Sequence, residues 1–86
     1  MGQINFRLSE TLEEIGATRN KIAVESKTRP ATILDLASGD TKTIKLDTLV
    51  NILNAINEFA HSHGVEKTFG IEDIIQYVPK NIENER

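Results

Sequence analysis

The segment 18–39 contains two short helical patterns joined by a tight turn, and this pairing constrains the fold more than any other part of the sequence. Thr18 is a suitable N-cap for a helix that runs to about Ser26. Proline fits the first position of a helix because its missing N–H has no intrahelical partner there, so Pro30 predicts a second helix, which ends at Gly39. The inward positions of the two helices are apolar: Ile22, Ala23, Ile33, Leu36 and Ala37.

Three more helical patterns occupy the rest of the chain. Apolar spacing predicts a first helix within 6–15, a long fourth helix with an N-cap at Asp47, and a last short helix before Pro79. The apolar positions that define them are Leu8, Leu12, Ile15, Leu49, Ile52, Leu53, Ile56, Phe59, Ala60, Ile71, Ile74, Ile75 and Val78. We therefore predict an all-α domain of five helices over residues 1–79, followed by a disordered tail at 80–86.

Length and composition exclude several classes of protein. A chain of 86 residues sustains one core and one domain. The absence of cysteine excludes disulfides and thiolate metal sites, and it suits a cytoplasmic protein. No apolar run approaches the roughly 20 residues that span a bilayer, so no membrane association is expected.

No pattern of catalytic or metal-binding residues is present in the sequence. The two histidines, His61 and His63, would lie on different sides of a helix and have no third ligand nearby in sequence. A glutamate cluster at 10–14 is typical of a solvated helix face. Because there is also no glycine-rich phosphate loop, no Ser-His-Asp order and no cysteine nucleophile, we predict neither an enzyme nor a cofactor or metal site.

Charge is distributed unevenly along the chain. The formal net charge is -3, but residues 19–45 contain six Lys and Arg against three Asp and Glu, which gives +3 there and leaves -6 elsewhere. The cations of this segment are Arg19, Lys21, Lys27, Arg29, Lys42 and Lys45. A basic middle between acidic ends is compatible with one surface that meets phosphate.

The segments 18–23 and 32–39 resemble, without gaps, the helix-turn-helix of Cro/CI-type phage repressors and related bacterial regulators of the XRE family. The resemblance extends to 29–33, 46–49 and 77–79, so it covers almost the whole chain. It implies a lambda-repressor-like fold and sequence-specific binding to the major groove of double-stranded DNA. The expected role is that of a transcriptional regulator, acting as a repressor.

The resemblance also implies which residues meet DNA. Those that match backbone contacts are Thr18, Arg19, Lys27, Thr28, Lys42, Thr43 and Lys45. Those that match base-facing positions are Arg29, Pro30, Ala31, Thr32 and Asp35. Pro30 and Ala31 cannot make bidentate hydrogen bonds but can touch a thymine methyl, and Asp35 either accepts from cytosine N4 or repels phosphate. We therefore expect readout to depend more than usual on backbone contacts and DNA shape.

Lys27 departs from the family pattern, which has glycine at this turn position with positive φ. A lysine held in that conformation costs on the order of 1 kcal/mol. Either the turn has a different shape, or the lysine charge compensates by reaching phosphate.

A homodimer is expected, because one domain of this size covers only a few base pairs. Ile4 and Phe6 alternate with polar residues, which is typical of a short extended segment or of an arm facing a second subunit. The candidate dimer surfaces are this arm and the carboxy-terminal helix. The segment 58–69 is longer than in small family members and either adds a dimer surface or completes the core, with Phe59, Val65 and Phe69.

A protein partner is the alternative to DNA. Domains of this fold also serve as antitoxins or anti-repressors, and an acidic chain with few base-reading side chains suits that use.

Overall fold

Four helices and a two-stranded sheet make up residues 2–79, the part of the chain that the computed structural model describes. The helices are α1 (Leu8–Ile15), α2 (Arg19–Ser26), α3 (Pro30–Ser38) and α4 (Leu46–Ser62). The strands are β1 (Gln3–Phe6) and β2 (Ile75–Val78), and a single 3-10 turn (Ile71–Asp73) precedes β2. The predicted tail at 80–86 lies outside the described residues.

The mostly helical character of the domain is confirmed, but the predicted fifth helix is wrong. The residues assigned to it form the 3-10 turn and β2, which pairs antiparallel with β1 from Gln3 opposite Val78 to Phe6 opposite Ile75. Over eight residues the same apolar spacing fits a helix or a strand, and the β-branched side chains here suit a pleated surface once β1 is available as a partner. Ile71, predicted to point inward, is 52% exposed. The domain is mostly helical with a small sheet.

The sheet joins the two ends of the described chain and fastens them to α1. The extended interpretation of the segment around Ile4 is therefore confirmed. The Arg7 N–H donates to the Ile74 carbonyl at 2.7 Å, and the Thr11 hydroxyl donates to the Asp73 carbonyl at 2.6 Å. These bonds place the face of the sheet that contains Phe6 against the helical core.

The helix boundaries follow the predicted signals except at the start of α4. Thr18 caps α2, Pro30 is the first residue of α3, and Gly39 ends α3 in a left-handed conformation. The N-cap of α4 is Lys45, so the prediction of Asp47 as N-cap is wrong. Asp47 lies in the first turn instead, where its negative charge interacts favourably with the helix dipole.

One core forms where the four helices and the sheet meet, and the inward faces predicted for the four helices contribute to it. Its buried residues are Leu8, Leu12, Ile15, Ile22, Ala23, Ile33, Leu36, Leu49, Ile52, Ala55, Ile56, Ala60, Phe69 and Ile74. Three predicted inward residues, Ala37, Leu53 and Phe59, are only half-buried. The inward faces of α2 and α3 pack into the core, and their outer faces are exposed.

The segment after α4 contributes to the core through Phe69, which is 3% exposed. Asn57 holds it in place: the Phe69 N–H donates to Asn57 Oδ1 at 2.7 Å, and Asn57 Nδ2 donates to the Phe69 carbonyl at 3.1 Å. Phe59 and Val65 are half-buried against the same core. The expectation that these three side chains complete the core is confirmed.

Candidate nucleic-acid interface

The helix α2 is built from local hydrogen bonds that fix both of its ends. The Thr18 hydroxyl accepts from the Lys21 N–H at 3.0 Å, which satisfies one of the free donors at the helix start. At the other end the buried Ser26 hydroxyl donates to the Ile22 carbonyl at 2.6 Å. Arg19 follows the cap directly and is exposed, so α2 presents a cation at its first residue.

The turn between α2 and α3 depends on a strained lysine. Lys27 has φ 56°, the left-handed region, and it is the non-glycine residue with positive φ among residues 2–79. Its N–H donates to the Val24 carbonyl at 3.2 Å, and the Thr28 N–H donates to the Ala23 carbonyl at 2.9 Å. The positive-φ turn is therefore present despite the absence of glycine, at a cost on the order of 1 kcal/mol.

The first turn of α3 is presented outward. Arg29 is the N-cap with extended backbone, and its side chain makes no capping hydrogen bond. Because Ile33 and Leu36 are buried, the opposite side of the helix faces away from the core. Of the predicted base-facing residues, four are exposed and Thr32 is half-buried: Arg29, Pro30, Ala31, Thr32 and Asp35.

Four of the seven predicted phosphate-contacting residues line two separate grooves, and Lys27 and Thr28 form the turn between α2 and α3. Thr18 and Arg19 line a shallow groove together with Pro30 of α3. Lys42 and Thr43, in the loop after α3, line a different groove beside the sheet. Lys45 is exposed at the start of α4. The structure thus brings the start of α2 next to the start of α3, while the loop lies in a separate groove.

Ion pairing separates the cations of residues 2–79 into two classes. Three cations pair with glutamates: Arg7 with Glu10 at 3.0 Å, Lys21 with Glu25 at 3.1 Å, and Lys67 with Glu14 at 3.2 Å. The other cations of that range have no carboxylate partner within it, and we call them the basic surface: Arg19, Lys27, Arg29, Lys42 and Lys45. These are the five cations that the sequence predicts to meet DNA.

Two residues that line the groove at α2 and α3 are missing from the sequence prediction. Asn20 and Leu34 lie there with Thr18, Arg19 and Pro30. Leu34 is 48% exposed although its neighbour Ile33 is fully buried. The signal was available, because a leucine one position after an inward isoleucine cannot share its face of the helix.

His63 packs against a neighbouring aromatic side chain rather than contributing to a metal site. His63 stacks on Phe59 with ring centroids 4.1 Å apart, and its Nδ1 lies 2.9 Å from the Phe59 carbonyl. In the described range, no three His, Asp or Glu side chains cluster closely enough to hold a metal ion.

Comparisons with known proteins leave the geometry as the basis for function. No protein-family model matches the chain, and neither a curated protein nor a solved structure matches it significantly. Within residues 2–79, no helix has the length and apolar content needed to cross a membrane.

Proposed function

We propose that this chain binds double-stranded DNA through α2, α3 and the following loop, and that it acts as a transcriptional regulator, a repressor of the Cro/CI type with a lambda-repressor-like fold. The observation that carries the proposal is the basic surface. Its five cations are exposed and lack carboxylate partners within the described residues, whereas the other three cations of that range, Lys21 of α2 among them, are paired. Lysine and arginine side chains that neutralise phosphates supply most of the affinity of such proteins for DNA.

The acidic net charge is compatible with this proposal because charge is distributed unevenly along the chain. Glu10 and Glu14 belong to α1, where each of them pairs with a cation. The acidic residues closest in sequence to the basic surface are Glu25, which pairs with Lys21, and Asp40 and Asp47, and Asp35 is exposed on α3 itself. The segment 19–45 has a formal charge of +3 although it includes Glu25, Asp35 and Asp40, and the remaining residues sum to -6.

Base readout in this proposal depends mainly on Arg29, which precedes the first turn of α3. Its guanidinium can donate two parallel hydrogen bonds to a guanine in the major groove. Pro30 and Ala31 offer only apolar contacts. The remaining specificity would come from phosphate contacts and DNA shape.

The proposal includes a homodimer, with β1 and β2 as its contact surface. Ile4 and Tyr77 are opposite each other in the sheet register and are 47% and 65% exposed. These two side chains share a sheet face with the half-buried Phe6 and Ile75 but lie at its exposed end, where apolar surface suits contact with a second copy. Sedimentation of the Ile4→Asp variant should show a monomer where the parent chain is a dimer, and an unchanged sedimentation coefficient would contradict this surface.

The experiment that tests the proposed function is selection of bound sequences from a random pool of DNA duplexes. We expect enrichment of a sequence with two half-sites about one helical turn apart. Binding of the enriched duplex should weaken steeply as salt rises. If no duplex is enriched even at low salt, the proposed function is wrong.

A protein partner, as for an antitoxin or an anti-repressor, is the second candidate function. The observation that favours it is an apolar pair one turn apart on α4: Leu46 and Val50 are both exposed. This candidate predicts that the Val50→Asp variant no longer binds the partner. It also predicts that neither the parent chain nor the variant binds DNA. Enrichment of a duplex would exclude it as the primary function.

A further inference from the structure

The groove between the start of α2 and α3 is partly apolar, although Arg19 of the basic surface lines it. We call it the Leu34 groove; it is lined by Thr18, Arg19, Asn20, Pro30 and Leu34. Leu34 lies one helical turn after Pro30, so the two apolar side chains share one side of α3. Leu34 is half-exposed, so it leaves apolar surface in contact with water, which is unfavourable and which a polar residue would avoid.

The polar residues of the groove differ in how far their hydrogen bonds are satisfied. The Thr18 hydroxyl already accepts from the Lys21 N–H. Within residues 2–79 the Asn20 side chain makes no hydrogen bond, and Arg19 makes no ion pair. The groove therefore combines an apolar floor with an amide and a cation that are available to a ligand.

The charge around the Leu34 groove favours a polyanion as its occupant. Arg19 lines the groove and Arg29 immediately precedes Pro30, and both cations belong to the unpaired set. Asp35 follows Leu34 and is the acidic residue nearest to it in sequence. The two arginines outnumber the one aspartate, so the net charge beside the groove is positive. Such a groove suits a phosphate backbone with a base edge next to it.

We propose that the Leu34 groove receives the 5-methyl group of a thymine, so that Leu34 and Pro30 select thymine at one position of each half-site. This inference rests on the proposed function. The thymine methyl is the one apolar group that base pairs present in the major groove, and neither Pro30 nor Leu34 has a donor or acceptor in its side chain that could read any other group. Arg19 and Asn20 hold the adjacent phosphate and fix the register.

The test replaces thymine by deoxyuridine, which removes the methyl group and leaves every hydrogen-bonding atom in place. A duplex enriched from the random pool is synthesised with this replacement at one position at a time, and each duplex is titrated with the full chain. At one position of each half-site we expect roughly fourfold weaker binding, the value for one buried methyl group. Equal affinity for all the substituted duplexes would overturn the proposal.

A pair of variants assigns the effect to the groove. In Leu34→Ala the ratio of thymine to deoxyuridine affinity should fall from roughly four towards one. Ile71→Ala removes another half-exposed aliphatic side chain, on the 3-10 turn, and should keep the ratio of the parent chain. A Leu34→Ala variant that keeps the full ratio would place the methyl contact elsewhere and overturn the assignment. Its fold is checked by helical circular dichroism.

The outcomes separate this inference from the function on which it rests. If no duplex is enriched, the proposed DNA binding fails and the inference fails with it. If a duplex is enriched and binds equally well with thymine or deoxyuridine at every position, DNA binding stands and only the thymine assignment is wrong.

Discussion

The helix α3 with the loop after it and the α1 side of the domain use their cations differently, while α2 contains both the unpaired Arg19 and the paired Lys21. Arg7, the N-cap of α1, and Lys67, in the segment after α4, each lie within 3.2 Å of a glutamate oxygen of α1. On α3 and the loop that follows it, Arg29 and Lys42 have no such partner within residues 2–79. A protein of net charge -3 thus presents cations at the start of α3 and in the following loop that no carboxylate within residues 2–79 pairs with.

This difference has little to do with stability. Exposed ion pairs contribute only about 0 to 1 kcal/mol each, so an unpaired lysine on the surface loses almost nothing. It changes the field that an approaching anion meets, because a paired cation is already neutralised. The two sides can therefore be separated by experiment, since mutations of one should change binding and mutations of the other should change neither binding nor stability appreciably.

The largest effect is expected in the core beneath the basic surface. Leu36→Ala removes a fully buried side chain of α3 and should lower the free energy of unfolding by about 2 to 5 kcal/mol. Leu34→Ala, on the exposed side of the same helix, should change it by less than about 1 kcal/mol. Urea denaturation followed by circular dichroism measures both, and equal losses would show that α3 is packed differently.

Next in size is the loss of a cation that faces the bases. Arg29→Ala should weaken binding to the enriched duplex by about 1 to 3 kcal/mol, since it removes the main hydrogen-bond donor of the first turn. Arg7→Ala removes a cation that is paired with Glu10 and serves as the matched control. Fluorescence anisotropy at one fixed salt concentration compares them. If both variants lose affinity equally, the distinction between the two sides is wrong.

Smaller effects on both stability and DNA affinity are expected at Lys27. Lys27→Gly relieves the positive-φ strain and should raise the free energy of unfolding by about 0.5 to 1 kcal/mol, while Lys27→Ala keeps the strain. Both variants lose the charge, so both should bind DNA more weakly. Thermal unfolding and anisotropy are measured on the same samples. An affinity that stays at the parent value in both variants would remove Lys27 from the interface.

The smallest effect is expected on the α1 side. Glu14→Gln breaks the ion pair between Glu14 and Lys67. Because both side chains are about half exposed, the substitution should change the free energy of unfolding by less than about 1 kcal/mol. DNA affinity should stay within about twofold of the parent chain. A large loss of affinity on this substitution would place DNA on α1.

The local signals in the sequence were sufficient for α2 and α3. A hydroxyl cap at Thr18, a proline at the first position of α3 and a glycine at its end each act within one turn of the chain. Such signals are visible in a single sequence because their partners are close by. The same holds for the inward residues Ile22 and Ile33, which are fully buried.

The sheet could not be predicted in the same way because its two strands are far apart in sequence. The segment around Ile75 has the spacing of a short helix, and only its pairing with β1 makes it a strand. Site geometry has the same limitation. The sequence places Leu34 on α3, but its position in one groove with Arg19 depends on how α2 packs against α3.

The salt dependence of binding tests the central claim most directly. For the enriched duplex, the logarithm of the binding constant is measured against the logarithm of salt concentration for the parent chain, Lys42→Ala and Lys67→Ala. If the basic surface contacts phosphate, Lys42→Ala should flatten the slope by about one unit. Lys67→Ala removes a lysine that is paired with Glu14 and should keep the slope of the parent chain. Parallel lines for all three proteins, or a flatter line for Lys67→Ala alone, would contradict the claim that the unpaired cations form the DNA-binding surface.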